Sequence, residues 1–262
     1  MYIFWLLYCH ASLMKFIFQL SQKSLSEVCF TGDSICNGLA RYPKVWNKYF
    51  RPLQALNFGI GGDRTQHVLW RVENGEIPRN CRYIAIHCGT NNLDRSRPKD
   101  IANGILSIGV KFQEHIPNVR VLISGILPRD EGKSQRAEKI AQVNGQLSKM
   151  CSNEDLQNFH YIAPDPDFSN EDGSLNTDLY YHDFLHLNEK GDMCLARSIH
   201  GVLINLMRED ELKDDKEKLQ RRRREGSESK SEGSCHLVPH YVYLLSYYNM
   251  VDSEYNSFTI PH

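Results

Sequence analysis

Four places in the chain hold residues able to do chemistry, and each follows an apolar run. Ser34 ends Thr31-Gly32-Asp33-Ser34, a tight glycine turn that can lift a hydroxyl to the edge of a sheet at the start of a helix. Asp183 and His186 stand three apart in Tyr181-His182-Asp183-Phe184-Leu185-His186. Within a single turn that spacing lets the carboxylate reach the imidazole Nδ1–H and leaves Nε2 to take a proton from a nucleophile. The glycines of Asn57-Phe58-Gly59-Ile60-Gly61-Gly62-Asp63 let backbone approach a ligand closely and aim an N–H at it. In Cys88-Gly89-Thr90-Asn91-Asn92 a side-chain amide supplies a neutral donor of the kind that supports an oxyanion.

Taken singly, each block has a plainer reading. Gly-Asp-Ser also describes a turn with an N-capping residue, an Asp-x-x-His pair also describes a cap or surface ion pair, and a loop asparagine is usually a turn residue. The glycine loop could bind phosphate, but it lacks the G-x-G-x-x-G dinucleotide fingerprint and no Walker lysine follows it. Ser34 is not in G-x-S-x-G, so the nucleophile elbow of α/β-hydrolases is excluded.

The elements that must position these blocks read as βα units. Short β-rich runs at 27–31, 55–58, 83–88, 119–124 and 159–163 alternate with longer amphipathic stretches, the signature of a parallel sheet. Ile101, Ile105, Ile108 and Phe112 recur at helical spacing over 100–115, as do Ile140, Val143 and Leu147 over 136–150. A closing helix over 189–207 carries Leu195, Ile199, Leu203 and Leu206 on one face. The expected class is α/β, a three-layer α/β/α sandwich around a five-stranded parallel, flavodoxin-like sheet. All four blocks then fall at carboxyl ends of strands or in the connections beyond them, where open α/β sheets bind ligands.

In this order the four blocks resemble the SGNH (GDSL-type) hydrolase superfamily. The stretches 53–63, 65–71, 125–129 and 183–187 are similar to the catalytic subunits of type I platelet-activating-factor acetylhydrolase, and the resemblance covers roughly residues 27–207. It implies Ser34 as nucleophile, His186 as general base and Asp183 as its orienting carboxylate. It also implies an oxyanion hole from the N–H groups of Ser34 and Gly62 and the side chain of Asn91. Such chemistry is a serine esterase mechanism through an acyl-enzyme and needs no cofactor and no metal. Ile35 and Leu185, which flank the nucleophile and the base in sequence, are expected to wall an acyl pocket sized for acetyl. Expected partners are a small ester or lipid substrate and, by the resemblance, a second subunit in a homo- or heterodimer. Two departures stand out: His87 replaces a tryptophan common two positions before the third block, and Asp192 an aromatic common after the downstream glycine. A catalytically silent binding module on the same fold, or an esterase for acetylated sugars or other small esters, is the alternative reading.

Composition bounds the remainder. The 262 residues carry 31 Lys+Arg against 32 Asp+Glu, a formal net charge of −1, so bulk charge gives no attraction for nucleic acid. Eight cysteines without a C-x-x-C pair suggest neither a disulfide scaffold nor zinc, and free thiols point to a reducing, cytoplasmic setting. Residues 1–25 form an apolar extension without a basic n-region, and Cys9–Ser12 and Lys15 break it before membrane-spanning length, so no membrane span is expected. Residues 26–207 are the expected hydrolase domain. The run at 208–262 is first charged and serine-rich, then aromatic without period, and is expected to pass from a solvated helix into disorder.

Overall fold

The computed structural model describes residues 26–78, 80–130 and 135–228, the last six of these as main chain only. The expected N-terminal extension over 1–25 and the tail beyond 228 lie outside the described residues. In chain order the elements are β1 (Val28–Gly32), α1 (Ser34–Gly38), α2 (Pro43–Tyr49), β2 (Leu56–Gly59), α3 (Thr65–Glu73) and β3 (Tyr83–His87). They continue with α4 (Pro98–His115), β4 (Arg120–Ser124), α5 (Gln135–Cys151), β5 (Phe159–Ile162) and α6 (Glu189–Glu228). The sheet is wholly parallel, in the order β2-β1-β3-β4-β5. The expected three-layer α/β class is therefore observed.

Alternating side chains send the strands' apolar residues into two cores. On one face Phe30, Ala85, Leu122 and Ile162 pack with Leu39 after α1, Val45 of α2, and Leu195, Ile199 and Leu203 of α6. On the other, Ile84, Ile86, Val121 and Ile123 meet Val68 and Val72 of α3, the 101/105/108/112 stripe of α4 and the 140/143/147 stripe of α5. The helical stripes read from sequence thus face the sheet. Cys29 and Cys88 are buried free thiols within the second core.

The chain leaves β1 in one direction to make β2 and crosses back over it to make β3. The connections diverge between β1 and β3, which opens a crevice at the carboxyl ends of those strands. Gly32 ends β1 there with φ +154°, and a Cβ on it would stand 1.9 Å from the His87 carbonyl oxygen of β3. Only glycine lets β1 turn this close to its neighbour.

Among the described residues no helix is long and apolar enough to cross a membrane. The chain divides into two compact units at Asp210/Glu211. The closing helix does not stop at Met207, because α6 continues to Glu228. Within the first unit its Asp210 accepts hydrogen bonds from Tyr83 Oη at 3.1 Å and Arg120 Nε at 3.2 Å and pairs with Arg120 Nη2. These contacts tie the helix to β3 and β4. Loss of one partner of a pair this poorly exposed strands the other, so Asp210→Ala should lower stability by about 2 kcal/mol in urea unfolding with turnover unchanged. A chain ended after Met207 should show the same loss, and one ended after Glu211 should not.

Candidate active site

The β1 turn places Ser34 as the first residue of α1. Asp33 caps that helix from extended backbone (φ −99°, ψ −154°), its Oδ1 accepting the Ile35 N–H at 2.9 Å. Burial pushes the Asp33 carboxyl up to about 7, against the Ile35 hydrogen bond that draws it down and the nearby Asp63 charge that adds to the rise. Its Oδ2 is buried without a hydrogen-bond partner.

The Asp183–His186 pair arrives on a loop pinned at its base by a bridge between Tyr180 and Leu187. Inside the loop the Tyr181 N–H donates to the His186 carbonyl at 2.8 Å, and the Phe184 N–H to the Tyr181 carbonyl at 2.9 Å. Phe184 adopts left-handed backbone, φ +51°, which a bulky residue takes only where the surrounding contacts fix it. The Asp183 Oδ1 accepts the N–H groups of Leu185 at 3.0 Å and His186 at 2.9 Å, and its Oδ2 lies 2.6 Å from His186 Nδ1. Partial burial raises this carboxyl's pKa, but hydrogen bonds from the His186 ring and the two main-chain N–H groups outweigh it, and the group stays below the usual carboxylate range. An ionised carboxylate only accepts, so Nδ1 carries the proton of this bond and Nε2 is the ring nitrogen turned away from Asp183. That Nε2 stands 3.0 Å from Ser34 Oγ.

The glycine loop lies against the same serine: a Cβ on Gly61 would be 3.9 Å from Ser34 Cβ. Gly62 takes φ +81°, a conformation that strains any other residue. Asn91, in the turn after β3, donates through Nδ2 to the Asp63 carbonyl at 2.8 Å, so its amide is tied to the residue after Gly62. The two asparagines divide their roles. Asn92 is buried and accepts the Thr65 N–H at 3.0 Å, anchoring α3, whereas Asn91 faces the crevice's loop.

The structure thus brings Ser34, His186 and Asp183 into one hydrogen-bonded line and gathers Gly62 and Asn91 beside it. Ile35 is different: it is 4% exposed and belongs to the core with Phe30 and Leu39, and Leu185 is half-buried against the same core. Both side chains are engaged in packing, and chain adjacency to Ser34 and His186 does not of itself turn them toward an acyl group.

Of the two departures, His87 is buried, shares a 3.0 Å hydrogen bond between Nδ1 and Ser124 Oγ, and is pushed down to about 4 by burial. Asp192 is buried with an unpartnered Oδ2 and is pushed up to about 7, chiefly by burial, with Arg41 acting against the rise. Asp165, Asp167 and Cys194 bring possible metal-ligand atoms within 4.8 Å of one another. Arg197 already donates to both carboxylates, at 3.1 and 3.2 Å, and meets their charge.

Beneath the crevice Thr31, Asp63, Arg71 and Glu76 form a buried polar group, of which Arg71 and Glu76 lie outside the four sequence blocks. Its signal was present in α3, where Arg71 stands among Thr65, Val68 and Val72 on the face turned to the sheet.

The pattern of the GDSL-like lipase/acylhydrolase family matches residues 30–193. Human platelet-activating factor acetylhydrolase IB subunit alpha1 is 37% identical over 187 residues, which is 71% of this chain and 78% of that protein. The human alpha2 subunit is 35% identical over 197 residues, 74% of this chain and 83% of that protein. A GDSL-like lipase from Bacteroides thetaiotaomicron shares the fold at a TM-score of 0.59, with 18% identity over 70% of this chain and 89% of that one.

His87 provides a pH test. Its folded-state pKa is depressed from 6.5 to about 4, so the stability this group contributes is present above pH 6.5 and is lost as pH falls toward 4. In His87→Gln, the acid-induced loss of stability across that window should be smaller than in the parent, measured by urea unfolding at several pH values. The pH profile of turnover between 5 and 8 should not move, because His87 stays uncharged there.

Proposed function

This chain belongs to the GDSL-like lipase/acylhydrolase family and is a carboxylic ester hydrolase; we propose that Ser34, His186 and Asp183 are its catalytic triad and that it removes acetyl from small or phospholipid esters. The observation that carries the reading is the continuous relay at the end of β1, 3.0 Å from Ser34 Oγ to His186 Nε2 and 2.6 Å from Nδ1 to Asp183.

In the proposed mechanism Ser34 Oγ attacks the ester carbonyl carbon and its proton passes to His186 Nε2. The imidazolium so formed keeps its Nδ1–H on the ionised Asp183, which fixes the tautomer and offsets the new charge. The carbonyl oxygen becomes an oxyanion facing the N–H groups of Ser34 and Gly62 and the Asn91 amide, each worth about 3–4 kcal/mol in the transition state. Collapse breaks the ester C–O bond, and the alcohol leaves with the proton from Nε2. Water then attacks the acetyl-serine, gives its proton to Nε2, and the acid departs as Ser34 Oγ recovers that proton.

The names of the relatives, acetylhydrolase subunits, support acetyl as the acyl group and assembly with another subunit, proposed here as a homo- or heterodimer. With the side chains of Ile35 and Leu185 both engaged in packing, the proposed restriction on acyl length falls to the backbone of the crevice. Free buried thiols fit the proposed cytoplasmic setting.

Turnover of p-nitrophenyl acetate should fall by at least about 1,000-fold in Ser34→Ala, and a fluorophosphonate probe should label the parent but not that variant. Asp183→Asn should cost about 10,000-fold by stabilising the wrong tautomer, and Asn91→Ala about 100- to 1,000-fold. Acetate should exceed butyrate by about tenfold or more, since each methylene that finds no room adds about 1–3 kcal/mol of overpacking. Hydrolysis that survives Ser34→Ala would assign the chemistry to other groups, and rates rising with chain length would remove the acetyl preference.

A further inference from the structure

Beneath the crevice lies a guanidinium that the triad does not use. Arg71 of α3 is 2% exposed. Its Nε donates to Asp63 Oδ2 at 2.9 Å, its Nη1 to the Phe58 carbonyl at 3.1 Å and to Glu76, and its Nη2 to the Gly32 carbonyl at 3.2 Å. Glu76 is held in turn by the Thr31 hydroxyl, at 2.7 Å from its Oε1.

The positions of these acceptors are what matter. Gly32 lies two residues before Ser34, Phe58 directly precedes Gly59, which ends β2 and opens the glycine loop, and Asp63 directly follows Gly62. The Asp63 carbonyl receives one N–H of the Asn91 amide, which leaves the second N–H of that group for a ligand. Every proposed oxyanion donor therefore hangs from a residue bound to Arg71 or within two positions of one. A planar fork of five N–H groups satisfies these directions at once, and an ammonium on a flexible stem does not.

We propose that Arg71 is a positioning residue that fixes the oxyanion hole, holding the Ser34 turn, the Gly62 loop and the Asn91 amide in register through Gly32, Phe58 and Asp63. The inference rests on the reading of these groups as an oxyanion hole. Glu76 supports it from behind: it orients the guanidinium and ties it to β1 through Thr31. A donor set that is misplaced by a fraction of an ångström still admits the planar ester but no longer meets the tetrahedral oxyanion. The loss should therefore fall on kcat rather than KM.

The experiment uses the full chain, p-nitrophenyl acetate and a trifluoromethyl ketone that adds reversibly to a serine to form an oxyanion. In Arg71→Lys, kcat should fall 30-fold or more with KM changed less than threefold, and affinity for the ketone should fall in parallel with kcat/KM. Glu76→Gln, whose single carbonyl oxygen can still accept from Arg71 while its NH2 donates to the Thr31 hydroxyl, should show the same pattern at 3- to 10-fold. Circular dichroism and thermal melting establish that each variant is folded. A folded Arg71→Lys with kcat within twofold of the parent overturns the inference, as does a loss confined to KM. If Arg71→Lys does not fold, Glu76→Gln decides by the same criteria, and failure of both to fold assigns the group a structural role and also overturns it. Ser34→Ala separates the two levels: if it retains turnover, the reading of the site itself fails, and if it is inactive while Arg71→Lys is normal, only the role of Arg71 fails.

Discussion

The 3.0 Å contact between His186 Nε2 and Ser34 Oγ joins side chains 152 positions apart, and nearly every feature of the fold serves to hold its two ends still. A hydrogen bond between half-exposed groups contributes only about 1 kcal/mol of its own. It can be maintained only if both loops are already fixed by stronger constraints. Ser34 is fixed by the Gly32 turn and the Asp33 cap, which are set against β3. His186 is fixed by the Tyr180–Leu187 bridge and by two hydrogen bonds to Asp183, which also accepts the Leu185 N–H.

Electrostatics follow the same division between buried and open ground. Asp183 stays ionised because it is well supplied with donors at a partly wet edge, as an orienting carboxylate must be. Asp33 and Glu76, deep in the fold, are pushed up to about 7 by burial even though each accepts hydrogen bonds. The two carboxylates bound to Arg71, Asp63 and Glu76, outnumber it, and the raised pKa of Glu76 is how the interior limits the cost of uncompensated negative charge. A negative charge beneath an oxyanion hole would oppose catalysis, so the guanidinium at its centre serves charge as well as geometry.

The two positions where this chain departs from the motif of its relatives sit on the same side of the sheet as α6. His87 projects with Tyr83 and Ala85, and Asp192 is carried by α6 itself. Both are buried, and neither joins the relay.

Local pattern was enough to establish the parallel α/β class, because strand runs with continuous burial and helical stripes of period 3.6 are properties of neighbouring residues. Local blocks also offered Ser34, Asp183 and His186 as groups able to do chemistry, because turn residues and a three-residue spacing are local, whereas Gly62 and Asn91 were named through the resemblance of the four blocks taken together. Tertiary structure alone decided three matters. It turned Ile35 into the core, since side-chain direction at the first turn of a helix depends on what packs beneath it. It tied the expected helical extension past Met207 back to the sheet at Asp210, since the partners of Asp210 lie on β3 and β4. It also assembled Arg71 with Asp63, Glu76, Phe58 and Gly32, since a buried charge is tolerated only where distant segments converge to satisfy it, and no spacing along one helix reveals that convergence.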